Sequence, residues 1–536
     1  MRIVHLSSSD VEGGAARAAW RLHQALLRAG EDSLMLVRRK TSGAPTVHAA
    51  PGKQDEACLW GYILQNRCVD RNRTPRSNTW FSLGWPGQDL SQHPLVREAD
   101  ILNLHWVSGF QSPVSLARLQ GLGKPLVWTL HDQRAFTGGC HFSAGCDGYR
   151  RDCAVCPQLA SDPCGLPAAN LGVQRALWPP GAFTLVCPSR WMAGCARQSA
   201  LFSTARIEVI PNGIEPEIFR DLPPEEARAA LGLPPDGFNL LFGSDYGGER
   251  RKGWSELAAA LEVCARAPLG RRLLQEGRLR LMCFGRPDER VGQLPIPVRS
   301  FGLVNSDETL NRLYAAADLF LMPSTEDNLP NTVLEALGAG TPVAAFKIGG
   351  VPDMVVEGET GGMAATVDPA ELGRVILSLL SEPARLQQMR PRCRARVLEH
   401  FTAERQAGRY RALYRELLDR ALQARNAGSA VPPPAAAPSS LDPLLRCLLR
   451  QAFAGGDDVL PPGESLAPRE AARRERFHEY MRRALLEPSH PLEDQLEAAS
   501  GLLRGRPVWR TRLRQHLRRR FKGASGPKET QSPFSG

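Results

Sequence analysis

Three carboxylates stand at set intervals in the stretch STEDNLPNTVLEALGAGTPV, residues 324–343. Glu326 and Asp327 precede a helix pattern that begins near Pro330, a residue favoured in a first helical turn, and ends at a glycine. The N-terminus of a helix attracts phosphate, because its free N–H groups and its macrodipole both favour an anion. Glu335 lies further into the helix, where it can accept hydrogen bonds from ribose hydroxyls. The stretch therefore predicts a nucleotide-sugar site; the alternative is a charged loop ahead of a core helix.

Two further segments have residues that suit a diphosphate. Gly13 and Gly14, in EGGAARAAW, would let the backbone approach a diphosphate closely, although such a pair also suits a tight turn. Arg251 and Lys252, in GERRKGWSEL, would neutralise the charge of the diphosphate, and a solvated basic turn is the alternative.

The segments that carry these motifs alternate between strand and helix patterns. RIVHL, a glycine loop, a helix and DSLMLVRR open the chain, and a second series begins near Phe238. We therefore predict an α/β protein of two doubly wound, Rossmann-like domains that face each other across a cleft at the carboxyl ends of their strands. The predicted domains are 1–205 and 206–390, followed by helices 391–424 that pack back on the first domain, a Pro/Ala linker 425–440 and a basic helical extension 441–536.

The spacing around the acids resembles the signature of retaining glycosyltransferases of family 4. Pro323 and Ser324, the acid Asp327, seven intervening residues, then Glu335 and a Gly-Thr-Pro-Val strand carry the resemblance, which covers about residues 1–420. It implies the GT-B fold, with an acceptor-side first domain and a second domain that binds the donor. It also implies that Asp327 contacts the donor sugar and that Glu335 binds the ribose.

Two departures from the family pattern lie in the same stretch. Asp327 stands where the family usually has glutamate, so the neighbouring Glu326 is an alternative contact for the sugar. Pro330 stands where most members have glycine and removes one N–H group. The amides of Asn331 and Thr332 remain for the phosphate.

The resemblance also implies a histidine near the donor sugar. His131, at the end of the strand in TLHDQ, matches that position, whereas His105, in NLHWV, is expected to be structural. The expected catalytic residues are therefore His131, Asp327, Arg251 and Lys252.

The chain contains no Asp-x-Asp pair, which in other transferases holds a divalent metal at the departing diphosphate. Cations and a helix N-terminus in a closed cleft are the other means of stabilising that charge. We therefore predict catalysis that requires no cofactor, and the resemblance implies retention of the anomeric configuration. A sugar-nucleotide epimerase and a catalytically inactive subunit of a polysaccharide assembly machine are the alternatives.

Four cysteines lie close together in an insert, 138–160. Their intervals are five, six and two residues, and they are Cys140, Cys146, Cys153 and Cys156. In a reducing compartment, where disulfides are not expected, this cluster favours a structural zinc site. Free buried thiols and a redox pair are the alternatives.

Positive charge is concentrated near the C-terminal end. Lys and Arg exceed Asp and Glu by 67 to 56, and residues 504–522 contain eight Arg and one Lys without an acid. Trp509, Leu513, Leu517 and Phe521 recur there every four residues, a pattern that suits either an anionic membrane surface or docking on the protein. No aromatic platform for stacking bases is present, so nucleic acid is not an expected partner.

No segment has the apolar length of a membrane span or the pattern of a signal peptide. We therefore expect a cytoplasmic enzyme, peripheral on the inner membrane face if 504–522 binds lipid. Its expected partners are a UDP- or GDP-sugar donor and a glycan or lipid-linked acceptor.

Overall fold

The computed structural model describes residues 1–50, 68–77, 80–84, 87–162, 164–244, 249–285 and 292–427. The predicted linker from residue 428 onward and the extension 441–536, with its basic stretch 504–522, lie outside these residues. In the described part of the chain, no helix combines the length and the apolar character needed to cross a bilayer.

Seven parallel strands of the described residues form the first sheet. They are β1 (Arg2–Ser9), β2 (Asp32–Arg39), β3 (Val47–Ala49), β4 (Ile101–Leu104), β5 (Leu126–Thr129), β6 (Thr184–Cys187) and β7 (Arg206–Val209). Their order in the sheet is β3–β2–β1–β4–β5–β6–β7. The accompanying helices are α1 (Gly14–Arg28), α2 (Pro94–Glu98), α3 (Pro113–Gln120), α4 (Leu166–Leu177) and α5 (Arg190–Gln198).

The centre of this sheet shows why the sequence forms it. β1 is buried on both faces from Ile3 onward, as expected for a parallel strand that has helices above and below it. The chain then turns at Gly13, whose φ of +90° is a conformation that a residue with a Cβ avoids. α1 packs Leu22 and Leu26 into the same core cluster as Ile3.

A six-stranded parallel sheet forms the second half of the described chain. Its strands are β8 (Phe238–Ser244), β9 (Leu279–Gly285), β10 (Val298–Ser300), β11 (Leu319–Met322), β12 (Val343–Phe346) and β13 (Gly361–Ala364), in the order β10–β9–β8–β11–β12–β13. Its helices are α6 (Pro224–Ala230), α7 (Trp254–Arg266), α8 (Pro268–Gln275), α9 (Asp307–Ala316), α10 (Asn331–Gly338), α11 (Val351–Met354) and α12 (Pro369–Ser381). The order reverses between β8 and β11, the place where ligands bind in folds of this type.

Two further helices, α13 (Pro383–His400) and α14 (Ala403–Asn426), pack on different halves. α13 places Met389 and Val397 in the core cluster of the second half. α14 returns to the first half, where the hydroxyl of Tyr410 lies 2.9 Å from Thr129 Oγ1. One helix thus ties the end of the described chain to the first sheet.

The prediction of two doubly wound α/β domains is confirmed, with differences at the boundaries. β7 pairs with β6, so the first sheet extends beyond the predicted boundary at residue 205. Helices 391–424 were predicted to pack on the first domain. The part from Ala403 onward packs in the core cluster of the first half, whereas the buried side chains of α13 belong to the core cluster of the second half. α14 also continues two residues into the predicted linker 425–440.

Candidate active site

Asp327 lies shortly after β11, and two cations meet its carboxylate. Its Oδ2 is 2.7 Å from Lys252 Nζ and 3.0 Å from Arg251 Nη1. Burial by itself would raise the pKa of this carboxyl, but Lys252 and Arg251 outweigh burial and lower the pKa to about 2. Asp327 is therefore ionised at neutral pH, and it holds both cations in place.

Gly253 explains how the basic turn comes so close to this carboxylate. It has a φ of +75°, and a Cβ at this position would lie 1.8 Å from the carbonyl oxygen of Pro323. The backbone N–H of Thr325 donates to the carbonyl of Arg251 at 2.8 Å. The turn Arg250–Lys252 therefore packs directly on the segment after β11, and the spacing of the cations from Asp327 depends on this glycine.

The three basic residues of the turn Arg250–Lys252 differ in their contacts with the protein and in their exposure to solvent. Arg251 donates to Glu249 at 2.7 Å and lies over the ring of Phe142, 4.1 Å from its centre. Its side chain is 11% exposed, whereas that of Lys252 is 28% exposed. Arg250 is exposed. Lys252 is therefore the cation that can turn toward a ligand, while Arg251 is a fixed positive charge beside it.

Asn328 joins the Asp327 segment to the first half of the chain. Its Nδ2 donates to the backbone carbonyls of Leu130 at 2.8 Å and of His131 at 3.1 Å, and its Oδ1 accepts from Ser189 Oγ at 2.6 Å. These bonds bring the carboxyl ends of β5 and β11 together. Asn328 was not among the predicted site residues; an amide directly after an acid at the end of a strand is the signal that could have identified it.

His131 is the first of three hydrogen-bonded histidines that lead into the core. Its Nε2 lies 3.0 Å from His105 Nδ1, and His105 Nε2 lies 2.9 Å from His5 Nδ1. Burial lowers the pKa of His131 to about 4, so the ring is neutral at neutral pH. Each neutral imidazole has one N–H, so the donors of the row all point the same way. The hydrogen bonds of the inner two rings therefore determine whether His131 Nδ1 carries a proton or a lone pair.

The predicted glycine loop and the predicted phosphate helix meet. Asn331 Nδ2 donates to the carbonyl of Gly14 at 2.9 Å, and Asn331 Oδ1 accepts from Asn212 Nδ2 at 3.3 Å. α10 begins at Asn331, and the preceding residue, Pro330, gives it no side-chain cap. Thr332 is partly exposed. The N-terminus of α10 therefore faces the Gly13–Gly14 loop with its first turn free of a protein cap.

Glu335 is buried in an ion pair with the facing half of the chain. Its Oε1 accepts from Arg21 Nη2 at 2.7 Å and its Oε2 accepts from the hydroxyl of Tyr314 at 3.0 Å. Arg21 Nε also lies 3.2 Å from Glu215 Oε2. Only 3% of the Glu335 side chain is exposed. Both carboxylate oxygens thus already have partners, and a ribose would meet the lone pairs that remain.

Glu326 and Asp327 are neighbours but contact different parts of the protein. Glu326 Oε2 accepts from the backbone N–H of Ala144 at 2.9 Å, and its Oε1 accepts from Ser143 Oγ at 3.3 Å. Both partners belong to the cysteine-rich insert. Glu326 therefore fastens the insert to the second half, and Asp327 is the acid that meets the cations.

The four cysteines of the insert are partly exposed. Burial, with smaller effects of the other thiols, raises the pKa of Cys140 well above its ordinary value, and burial raises that of Cys153 to about 11. Among the described residues, no three His, Cys, Asp or Glu side chains are arranged to hold a metal ion. The zinc site therefore stays a prediction. Cys164 is disulfide-bonded, so the expectation that disulfides are absent is wrong at this residue.

Two family models match the two halves of the chain: Glycosyltransferase Family 4 over residues 12–218 and Glycosyl transferases group 1 over residues 240–382. D-inositol 3-phosphate glycosyltransferase 1 of Catenulispora acidiphila is 28% identical over 378 residues, 66% of this chain and 79% of that protein. The putative colanic acid biosynthesis glycosyl transferase WcaC of Escherichia coli is 26% identical over 373 residues, 64% of this chain and 83% of that protein. Several other D-inositol 3-phosphate glycosyltransferases match over 40% to 51% of their own lengths.

Among solved structures, Anabaena HepE in complex with UDP aligns with 78% of this chain and the whole of its own, at a TM-score of 0.51 and 16% identity. At this identity the likeness concerns the fold, two facing Rossmann-like domains. The family models account for both halves of the chain, and the sheet order agrees with this fold. The chain therefore belongs to the family 4, or group 1, glycosyltransferases.

Proposed function

We propose that this glycosyltransferase moves a sugar from a nucleotide diphosphate to a hydroxyl of a glycan or lipid-linked acceptor, with retention and without a divalent metal. The observation that carries the proposal is the meeting of Lys252, Arg251 and Asp327 beside the N-terminus of α10, with His131 attached to the same segment through Asn328. Residues of both halves of the chain thus meet at one place.

The charges of this place suit a departing diphosphate. As the glycosidic bond breaks, negative charge grows on the diphosphate oxygens, and preorganised donors stabilise it most where water is excluded. Lys252 can turn from Asp327 to the phosphate, Arg251 remains as a fixed charge, and the free amides of the first turn of α10 donate. Asp327 then lies near the sugar rather than the phosphate, since a carboxylate repels the diphosphate.

His131 would act on the sugar as a neutral group. Its lowered pKa keeps the ring uncharged, so it can donate or accept one hydrogen bond at Nδ1 without repelling a glycosyl group of oxocarbenium character. Asp327 stays paired with Arg251 and does not attack the sugar in this proposal, so the acceptor attacks on the face from which the diphosphate leaves. That geometry retains the anomeric configuration.

Two relatives support the choice of substrates. The Anabaena structure contains UDP, which favours a UDP-sugar as donor, with a GDP-sugar as the second choice. The E. coli relative is described as a putative colanic acid biosynthesis enzyme, which supports an acceptor of polysaccharide biosynthesis.

The test is release of nucleotide from a panel of UDP-, GDP-, ADP- and dTDP-sugars, with and without EDTA. We expect one donor to be hydrolysed slowly or transferred, with EDTA having no effect and with the product anomer, followed by NMR, the same as that of the donor. Lys252→Ala should lower the rate at least tenfold, and Arg250→Ala, which removes the same charge from an exposed neighbour, should not. Inversion at C2 would identify an epimerase, and no turnover of any donor would favour an inactive subunit.

A further inference from the structure

A turn of the cysteine-rich insert, residues 142–145, contacts the second half of the chain at two points. The ring centre of Phe142 lies 4.1 Å from the guanidinium carbon of Arg251, and the backbone N–H of Ala144 donates to Glu326 Oε2 at 2.9 Å. Arg251 is paired with the acid that holds the two cations, and Glu326 directly precedes that acid. The turn therefore contacts the second half beside the proposed point of transfer.

The ring of Phe142 contacts both a cation and a second ring. Arg251 lies over the ring, and the indole of Trp191 is stacked with it, at 6.4 Å between centres and 13° between planes. Phe142 is 4% exposed. The face of an aromatic ring attracts a cation most strongly where water is excluded. Phe142 therefore attracts the guanidinium of Arg251 and shields it from water.

The hydrogen bonds of Arg251 hold the edges of its planar group, and Phe142 covers its face. Nε and Nη2 donate to the two carboxylate oxygens of Glu249 at 2.7 and 3.1 Å, and Nη1 donates to Asp327 Oδ2 at 3.0 Å and to the carbonyl of Glu326 at 3.2 Å. Among the described residues, these bonds use four of the five N–H groups of a guanidinium. One N–H group on Nη2 is left for a phosphate oxygen, and its direction depends on how the ring holds the plane.

The first half of the chain holds the turn rigidly. Gln133 Oε1 accepts from the backbone N–H of Ser143 at 2.7 Å, and Gln158 Nε2 donates to the carbonyl of Phe142 at 2.9 Å. Both glutamines are buried. Ala144 has a φ of +52°, which a residue with a Cβ keeps only when its surroundings impose it. The turn is therefore a fixed support for the ring.

We propose that Phe142 is a positioning residue of the transfer, whose ring orients the guanidinium of Arg251 toward the departing diphosphate. The ring belongs to the first half and the cation to the second, so the cation is in place only when the two halves are together. Negative charge grows on the diphosphate during transfer. An oriented cation therefore stabilises the transition state and the released nucleotide diphosphate more than the bound donor. This role rests on the proposed function, in which Arg251 is a fixed charge beside the diphosphate.

The first experiment measures the binding of UDP and UMP to the full chain by isothermal titration calorimetry, with GDP and GMP in parallel. The proteins are the unaltered chain, Phe142→Leu and Phe202→Leu. Phe202 is the matched control, since it is also 4% exposed and is also stacked with a tryptophan, Trp178, at 6.5 Å. We expect Phe142→Leu to weaken binding of the diphosphate roughly tenfold and to leave the monophosphate unchanged. Phe202→Leu should change neither.

The second experiment measures turnover of the donor in a double-mutant cycle of Phe142→Leu and Arg251→Gln. We expect Phe142→Leu to lower kcat roughly tenfold with little change in the KM of the donor. The same substitution should have no further effect on kcat in the Arg251→Gln protein, because the ring then has no cation to orient. Phe142→Tyr keeps the ring and should keep the rate.

Melting temperatures separate positioning from folding. Phe142→Leu and Phe202→Leu should lose similar stability, since each removes the same buried ring; if Phe142→Leu does not fold, Phe142→Met gives the same test. Equal losses of kcat and of diphosphate affinity in Phe142→Leu and Phe202→Leu would overturn the positioning role. So would an equal effect of Phe142→Leu with and without Arg251, since the ring would then act through stability alone.

Failure of the proposed function gives a different result. If no donor turns over, while Phe142→Leu still weakens binding of the diphosphate and not of the monophosphate, the ring positions Arg251 at a diphosphate and the proposed transfer fails. If a donor turns over and Phe142→Leu matches Phe202→Leu in kcat and in diphosphate affinity, the transfer stands and the positioning role fails.

Discussion

Removal of the buried charge of Glu335 tests whether this residue holds the two halves of the chain together. Glu335→Gln keeps the shape of the side chain, and its amide oxygen can still accept from Tyr314. The variant leaves Arg21 with one carboxylate, that of Glu215 at 3.2 Å. Breaking a buried ion pair costs roughly 3–5 kcal/mol. We expect the low end, about 3 kcal/mol, since Glu215 still offsets the charge of Arg21.

Differential scanning calorimetry measures the effect as a fall in melting temperature, on the order of 5 °C for a chain of this size. Glu308→Gln is the matched control, because Glu308 is 43% exposed and pairs with Arg312 at 3.3 Å on the surface. Surface pairs contribute about 0–1 kcal/mol, so this control should melt close to the unaltered chain. Tyr314→Phe should fall between the two, since it removes one hydrogen bond to a charged group.

Binding of UDP to the same variants separates stability from ligand contact. If the carboxylate of Glu335 links the two halves and does not contact the nucleotide, Glu335→Gln should lower UDP affinity no more than Tyr314→Phe does. If Glu335→Gln and the Glu308→Gln control have the same melting temperature, the claim that the buried ion pair of Glu335 stabilises the protein is refuted. Were Glu335→Gln also to lose UDP affinity, the carboxylate would belong to the ribose site that the family resemblance implies.

Three other changes have definite expected outcomes. Asp327→Asn should lower the free energy of unfolding by about 2 kcal/mol at neutral pH. The pKa of Asp327 in the folded protein is lowered from 3.8 to about 2. The stabilisation by its ionised carboxylate is therefore present above about pH 4 and is lost as the pH falls toward 2. Thermal unfolding of both proteins across that range checks this, and a gap that persists at pH 2 would contradict it. His105→Phe should lower kcat by about one to two orders of magnitude with little change in donor KM, because His131 loses the ring that fixes its Nδ1; a change confined to KM would refute this role. Glu326→Gln should increase proteolysis of the insert near Ala144 and reduce donor turnover far less than Asp327→Asn; equal loss of turnover would show that both acids serve the donor.

Local sequence patterns were sufficient to predict the fold and part of the candidate site. The apolar strands, the glycine turns and the acid spacing depend on interactions between residues near in sequence, and the two doubly wound halves followed from them. The sequence singled out Lys252 and Asp327 separately, and their pairing follows from the tertiary structure, in which β8 and β11 are neighbours at the point where the sheet order reverses. Gly253, which permits the approach, also stands within the predicted motif.

The tertiary structure decided how those residues are used. Neighbouring acids, Glu326 and Asp327, contact the insert and the cations respectively, because successive side chains leave the backbone in different directions. The pairing of Arg21 with Glu335 joins residues 314 positions apart, and no periodicity in the chain encodes such a contact. Pairings between distant segments are set by how two preformed sheets face each other, and that depends on packing summed over the whole protein.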